Sequence, residues 1–301
     1  RPRRTTIHEV IMKVKRSLSV SLALLFCGLC RAEPNVILMM ADDLGYGDVG
    51  YNGHKTIRTP NLNAMSKNGL RFDRYYAAAP VCSPTRGSCL TGRHPYRYGI
   101  FSANVGHLLK REKSLAERLK AKGYATGHFG KWHLGTLTKT EKDSNRGGPR
   151  GAKHYMPPWD RGFDVCFSTE AKVPTWNPME HPQTGKPYGT FYWVGPGKKE
   201  TKNLKGDDSR IIMDRAIPFI QQSVKDKKPF FAVIWFHTPH LPVKAGPKYL
   251  KMYPKARGIR QHYLGCITAM DEQIGRLRNE LRKLKIADDT MLWFASDNGP
   301  E

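Results

Sequence analysis

Read for hydrophobic period alone, the chain alternates short unbroken apolar runs with amphipathic stretches of helical period. The run Val36-Ile37-Leu38-Met39-Met40 has strand length and no polar alternation, which suits a strand covered on both faces of a parallel sheet, and it stops at Asp42-Asp43. Ser114 stands before a helical pattern through Leu115 and Leu119 that ends at Gly123. A run from Ala125 to Gly130 then leads into Lys131-Trp132-His133. Ser209 opens a further helix through Ile212, Ala216 and Phe219, which Pro218 is expected to kink or end. Phe230 to Trp235 reads as a buried strand that runs into Phe236-His237-Thr238-Pro239-His240. Tyr263, Ile267, Met270, Ile274, Leu277 and Leu281 are spaced 4, 3, 4, 3 and 4 residues apart and form one apolar face of a long helix. Thr290 to Ala295 is the closing strand, and it delivers Ser296-Asp297-Asn298-Gly299.

This alternation predicts an α/β fold with a largely parallel central sheet and helices on both faces. The Asp, His, Lys and Asn clusters fall just past the carboxyl ends of the strands, the edge at which open α/β sheets bind ligands. Between Gly135 and Lys228 the chain is rich in Gly, Pro, Trp and charge, which predicts long loops bordering the site and no second domain.

Composition adds a partner class. With 301 residues, 39% of them apolar, the chain can bury a sizeable core. Its 50 Lys and Arg against 26 Asp and Glu give a net charge of +24. The bases are spread along the chain without zinc-finger, RNA-recognition or basic-zipper spacing, so nucleic acid is set aside in favour of an anionic surface or substrate. Part of the charge belongs to a leader. Lys13, Lys15 and Arg16 precede a mostly apolar run from Leu18 to Leu29 and then Cys30-Arg31-Ala32. That is the layout of a secretory signal peptide starting at Met12, with residues 1–11 as an upstream extension and an exported, periplasmic or secreted, mature chain from 33 to 301. Segment 1–32 carries 7 of the basic and 1 of the acidic residues, so the remainder keeps +18. Four cysteines remain, Cys82, Cys89, Cys166 and Cys266, enough for two disulfides unless one is reserved for chemistry.

Asp42-Asp43 and Asp297-Asn298 are candidate metal ligands. Adjacent carboxylates repel unless a cation lies between them, and oxygen-only ligation suits calcium or magnesium over zinc, although the same dipeptides also form turns. Cys82, four residues before Arg86, reads either as a thiolate activated by a cation or as a small buried structural cysteine.

The stretch Cys82-Ser83-Pro84-Thr85-Arg86, continuing to Thr91-Gly92-Arg93, resembles the signature of the type I sulfatases of the alkaline phosphatase superfamily, in which the cysteine is oxidised to formylglycine. The resemblance continues in order through Pro34-Asn35, Asp42-Asp43-Leu44-Gly45, Thr59-Pro60-Asn61-Leu62, Gly130-Lys131-Trp132-His133-Leu134-Gly135, Thr238-Pro239-His240-Leu241-Pro242 and Ser296-Asp297-Asn298-Gly299. It implies an alkaline-phosphatase-like sulfatase fold and hydrolysis of sulfate esters by the hydrate of a formylglycine made from Cys82. One divalent cation, calcium by preference, would be held by Asp42, Asp43, the converted Cys82, Asp297 and Asn298. Arg86 would orient the formylglycine hydroxyls, Lys131 and His240 would grip sulfate and help protonate the leaving group, and His133 would take the proton that lets the hemiacetal collapse. His240 is preferred to His237 because it precedes x-Pro as the family's histidine does.

The resemblance also implies a maturation partner, a formylglycine-generating or anaerobic sulfatase-maturating enzyme. The family's further active-site lysine and its small C-terminal domain would lie beyond Glu301, so the chain is expected to be a catalytic domain truncated at its C-terminus. The expected substrate is a sulfated sugar or polysaccharide, with Trp159, Trp176, Tyr192 and Trp193 as candidates for stacking on sugar rings. Two alternatives stay open: a phosphonate or phosphate ester hydrolase using the same modified cysteine, and a secreted polyanion-binding protein whose Cys82 stays a thiol.

Overall fold

The computed structural model describes residues 33–300, and the expected leader lies outside them. Among the described residues, seven strands form one sheet: β1 (Asn35–Asp42), β2 (Ala125–Lys131), β3 (Val165–Thr169), β4 (Trp193–Gly195), β5 (Lys198–Lys199), β6 (Phe230–Pro239) and β7 (Thr290–Ser296). Their order is β5-β4-β3-β2-β6-β1-β7. The five from β3 to β7 across the sheet are parallel, and the β4–β5 hairpin adds an antiparallel edge beside β3. The helices are α1 (Pro60–Asn68), α2 (Cys82–Thr91), α3 (Pro95–Tyr98), α4 (Leu115–Lys120), α5 (Asp208–Lys225), α6 (Pro247–Leu250) and α7 (Gly258–Lys283).

Strand period divides the core in two. Ile37, Met39 and Ala41 of β1 and Phe230, Ala232, Ile234 and Phe236 of β6 face a layer filled by α5 and α7. Met40 of β1 and Phe231, Val233 and Trp235 of β6 face the opposite layer, where Leu90 of α2, Tyr98 of α3 and Ala116 of α4 pack with Trp132, Phe163 and Trp193. The largely parallel sheet with helices on both faces is therefore present, and the unbroken apolarity of β1 and β6 reflects burial on both sides.

Four expectations need correction. Helix α5 is capped by Asp207, whose carboxylate accepts the Arg210 N–H at 2.9 Å, and not by Ser209. It also continues past Pro218 and does not end there. A proline inside a helix costs about 3 kcal/mol, but Ile211, Ile212, Met213, Ala216, Ile217 and Ile220 are buried on one side of it. At roughly 1.5–3 kcal/mol for each large apolar side chain, that face wins. Segment 135–228 is not only loops, because β3 and the β4–β5 hairpin extend the sheet there. Tyr192 and Trp193 are fully buried core residues, so they cannot stack on a ligand. Cys82, Cys89, Cys166 and Cys266 are all free thiols. Among the described residues no helix is long and apolar enough to cross a membrane.

Candidate active site

Three strand ends and one helix start meet at the carboxyl edge of the sheet. β1 ends in Asp42, β2 in Lys131 and β7 in Ser296, with Asp297 and Asn298 next, while Cys82 is the first residue of α2. The four-residue spacing of Cys82 and Arg86 places them on one face of that helix, one turn apart. Pro84 sits in the first turn, where its missing N–H has no helical partner to lose, and Gly92 closes the helix in the left-handed conformation at φ 66°. Gly87 lets Tyr98 lie against the helix, since a Cβ there would fall 2.8 Å from the ring. Gly130, at φ 104°, lets β2 reach its end close to β6, where a Cβ would lie 1.9 Å from the Trp235 carbonyl oxygen.

Arg86 is fully buried and ties the carboxylates together. Its Nη2 donates to Asp42 Oδ1 at 2.9 Å and to Asp297 Oδ2 at 2.7 Å, its Nε to Asp297 Oδ2 at 3.0 Å, and its Nη1 to the Lys131 carbonyl at 3.2 Å. The guanidinium carbon lies 5.1 Å from the centre of the Trp235 ring. Lys131 Nζ donates to both oxygens of Asp42, at 2.8 and 2.7 Å. Lys131, expected to grip a sulfate, is thus fully buried and committed to Asp42 in this arrangement.

Burial pushes Asp42 upward, but Lys131 and Arg86 together hold it well below the usual carboxylate range. Asp297 has Arg86 without so close a lysine and faces the charge of Asp42, and burial pushes it up to about 7. Burial, with the charge of Asp42 next door, also raises Asp43. Three carboxylates thus face two fixed cations.

Asp43 adopts φ 63° and His133 φ 56°, conformations that few residues other than glycine take up and that concentrate at functional sites. Asp43 Oδ1 lies 4.0 Å from Cys82 Sγ and accepts from Asn298 Nδ2 at 2.5 Å. Asp43 Oδ2 is 3.4 Å from His240 Nε2, and neither it nor Asn298 Oδ1 takes a hydrogen bond although both are buried. Ligand atoms of Asp43, Cys82 and His240 lie within 4.8 Å of one another, as do those of Asp42, Cys82 and Asp297. Unpartnered buried oxygens, within a donor set of three carboxylates and one amide, fit a hard divalent cation.

The sequence-predicted residues therefore come together: Asp42, Asp43, Cys82, Arg86, Lys131, Asp297, Asn298 and His240. His237 does not join them. Its Nδ1 pairs with Asp208 at 2.8 Å and its Nε2 with Thr169 Oγ1 at 2.7 Å. His133 is held from outside the set, by Asn104, whose Oδ1 lies 2.9 Å from His133 Nε2 and also accepts from Asn145 Nδ2 at 3.1 Å. An amide oxygen can only accept, so His133 carries its proton on Nε2 and presents Nδ1, which is buried without a partner, as a lone pair. Burial and the charges of Lys131 and Arg86 keep His133 neutral by lowering its pKa well below the ordinary value. Burial likewise lowers His240, against the pull of Asp42. Sequence reasoning missed Asn104; the only trace of it is an Asn, tolerant of positive φ, before Val105-Gly106.

Burial pushes the Cys82 thiol up to about 12, with Lys131 and Arg86 too weak to offset it. At neutral pH it is a neutral thiol, so the reading of Cys82 as a cation-activated thiolate is corrected.

An open, mostly parallel sheet whose carboxyl edge carries a buried Asp–Arg–Lys cluster beside a helix-borne cysteine defines an α/β domain with a charged, buried candidate site at that edge. The chain belongs to the sulfatase family, whose family model matches residues 34–301. It is 32% identical over 286 residues to N-acetylgalactosamine-6-sulfatase of Sus scrofa, covering 88% of this chain and 50% of that protein. To arylsulfatase G of Mus musculus it is 31% identical over 299 residues, covering 89% of this chain and 52% of that one. The crystal structure of Ps i-CgsB in complex with k-i-k-neocarrahexaose superposes with a TM-score of 0.74 at 31% identity, covering 90% of this chain and 59% of that one. The chain thus spans about half the length of the curated relatives it matches.

Proposed function

We propose that this chain carries the nucleophile and cation site of a sulfate ester hydrolase that works through a formylglycine made from Cys82. The observation that carries the reading is the buried constellation of Cys82, Arg86, Asp42 and Asp297, in a chain of the sulfatase family. A maturation enzyme, with an external electron acceptor taking two electrons, would oxidise the Cys82 side chain, its C–S bond breaking and sulfide leaving as water oxygen enters, to give an aldehyde, which takes up a further water to place two hydroxyls on one carbon. One hydroxyl passes its proton to Asp43, whose Oδ1 lies 4.0 Å from Cys82 Sγ, its oxygen attacks the sulfur of the ester, and the S–O bond to the alcohol breaks. The alcohol oxygen takes that proton through His240, whose Nδ1–H donates to the Leu241 carbonyl at 2.6 Å and whose Nε2 lone pair, 3.4 Å from Asp43 Oδ2, carries it across. The second hydroxyl then gives its proton to His133, whose unprotonated Nδ1 suits it as base, the C=O bond re-forms and inorganic sulfate leaves. This elimination spares water an attack on the covalent sulfate.

Asp42, Asp43, Asp297 and Asn298, with an oxygen of the converted Cys82, would hold a divalent cation, calcium by their all-oxygen character. When bound it supplies positive charge beside the attacking hydroxyl and the sulfate. Arg86 fixes Asp42 and Asp297 and stands one helical turn from the nucleophile. With the charge of Asp42 met, the Lys131 ammonium is free to turn to a sulfate oxygen. Start-of-helix placement of Cys82 adds the positive end of the α2 dipole, which favours an anion there.

Net positive charge outside segment 1–32, a relative named N-acetylgalactosamine-6-sulfatase and a similar structure in complex with a neocarrahexaose support a sulfated saccharide as substrate, and the leader layout from Met12 to Ala32 supports export. The test is the mass of the Cys82 peptide from the native host, beside turnover of an aryl sulfate and an aryl phosphate by the full gene product. The aldehyde mass, faster sulfate than phosphate turnover and loss of both in Cys82→Ala are expected. An unmodified thiol in an active protein, or faster phosphate turnover, refutes the reading.

A further inference from the structure

A cavity of about 260 Å³ opens beside Asp43 and His240. Its far wall is the first turn of α7, where Ile259 and Arg260 line it, and Leu241 and Tyr263 complete it. The wall is stiff, because Tyr263 donates its hydroxyl to Asp48 Oδ2 at 2.7 Å and Asp48 accepts the Gly45 N–H at 3.1 Å. Ile259 and Leu241 are 64% and 42% exposed, so apolar surface faces the opening. The volume lies just below the roughly 300–1,000 Å³ of small-molecule pockets, room for one substituted ring and no more.

Charge singles out Arg260. It is exposed, and among the described residues it has no ion pair or hydrogen bond. Between positions 244 and 270 the chain carries Lys244, Lys248, Lys251, Lys255, Arg257 and Arg260 and no Asp or Glu. Of these, Lys248 is neutralised by Glu272 at 2.6 Å. An unpaired guanidinium on the rim of a cavity shared with the reacting groups offers a planar, bidentate donor for an anion.

We propose that this cavity receives the saccharide ring next to the scissile sulfate, and that Arg260 selects rings bearing a second anionic group. The inference rests on the sulfatase reading and adds a specificity-determining residue to it. Sulfate and carboxylate share the chemistry that a guanidinium recognises, so the test carries an arm for each.

The full, matured gene product is assayed as wild type, Arg260→Met and Arg260→Lys. Its substrates are an aryl sulfate, a singly sulfated sugar, the same sugar with a second sulfate, and one with a carboxylate. In Arg260→Met the kcat/KM ratio of the doubly anionic to the singly sulfated sugar falls about ten-fold, the loss of one good ionic contact, and the change sits in KM. Arg260→Lys recovers part of it, and added salt narrows the gap. Loss on the second-sulfate arm or on the carboxylate arm supports the proposal and names the group. A ratio unchanged in Arg260→Met, with aryl sulfate turnover present, overturns the inference alone. Absence of aryl sulfate turnover in the wild type overturns the sulfatase reading and this inference with it.

Discussion

Replacing Arg86 by methionine keeps much of the side-chain volume and removes the charge that Asp42 and Asp297 share. The guanidinium is fully buried and makes ion pairs of 2.9 and 2.7 Å. Breaking a buried pair by removing one partner costs about 3–5 kcal/mol, because the remaining charge is left without compensation. Here two carboxylates are affected, and Lys131 remains to neutralise only Asp42. Against a typical total stability of about 5–15 kcal/mol, that is roughly a fifth or more. Urea unfolding of Arg86→Met beside the wild type, in chelator and then in calcium, measures the loss. The double variant Arg86→Met with Asp297→Asn separates causes. It should regain part of the stability, since the isolated Asp297 charge and not the missing packing is what costs. A loss under about 1 kcal/mol for Arg86→Met, or no recovery in the double variant, would refute the account of Arg86 as the charge that holds the cluster together.

Three further outcomes are expected. Asn104→Ala frees the His133 imidazole to take either tautomer, so kcat on an aryl sulfate falls about ten-fold or more with little change in KM, and the acid-side limb of the pH–rate profile, where the base becomes protonated, moves; an unchanged profile would leave Asn104 without a positioning role. Burial, with the charge of Asp143 adding to it, pushes Glu170 up to about 8 against the pull of Arg146. The fold therefore favours the neutral acid, and stability contributed below the unfolded value near 4.5 is lost as pH rises toward 8; Glu170→Gln should flatten that slope in thermal melts. Removing divalent cations should lower the melting temperature, and calcium at about 100 times its Kd should restore about 2.7 kcal/mol, an effect that Asp43→Asn weakens.

The strands that build the sheet's centre were legible because burial on both faces leaves unbroken apolar runs, as in Val36–Met40 and Phe230–Trp235, and α7 because its buried residues repeat at helical spacing. Helix α2 was not, since Cys-Ser-Pro-Thr-Arg-Gly-Ser has no apolar period. It is helical because seven of its ten residues are buried, which is a tertiary cause. Strands β4 and β5 are three and two residues long, too short for any period to register.

The site divides the same way. Motif residues could be picked out one by one, but what makes them a site is contact across the chain: Asp42 to Arg86 over 44 positions, Arg86 to Asp297 over 211, Asp43 to Asn298 over 255. His237 and His240 stand three residues apart, and residue type alone does not separate them. Their partners do, because β6 delivers His237 to Asp208 and Thr169 in the packed layer and the turn after it delivers His240 to Asp43. Asn104 and Arg260 carry no motif at all. Each acquires its meaning from a neighbour far away in sequence, His133 for one and the cavity beside His240 for the other, and such residues are where substrate choice can change while the motif stays intact.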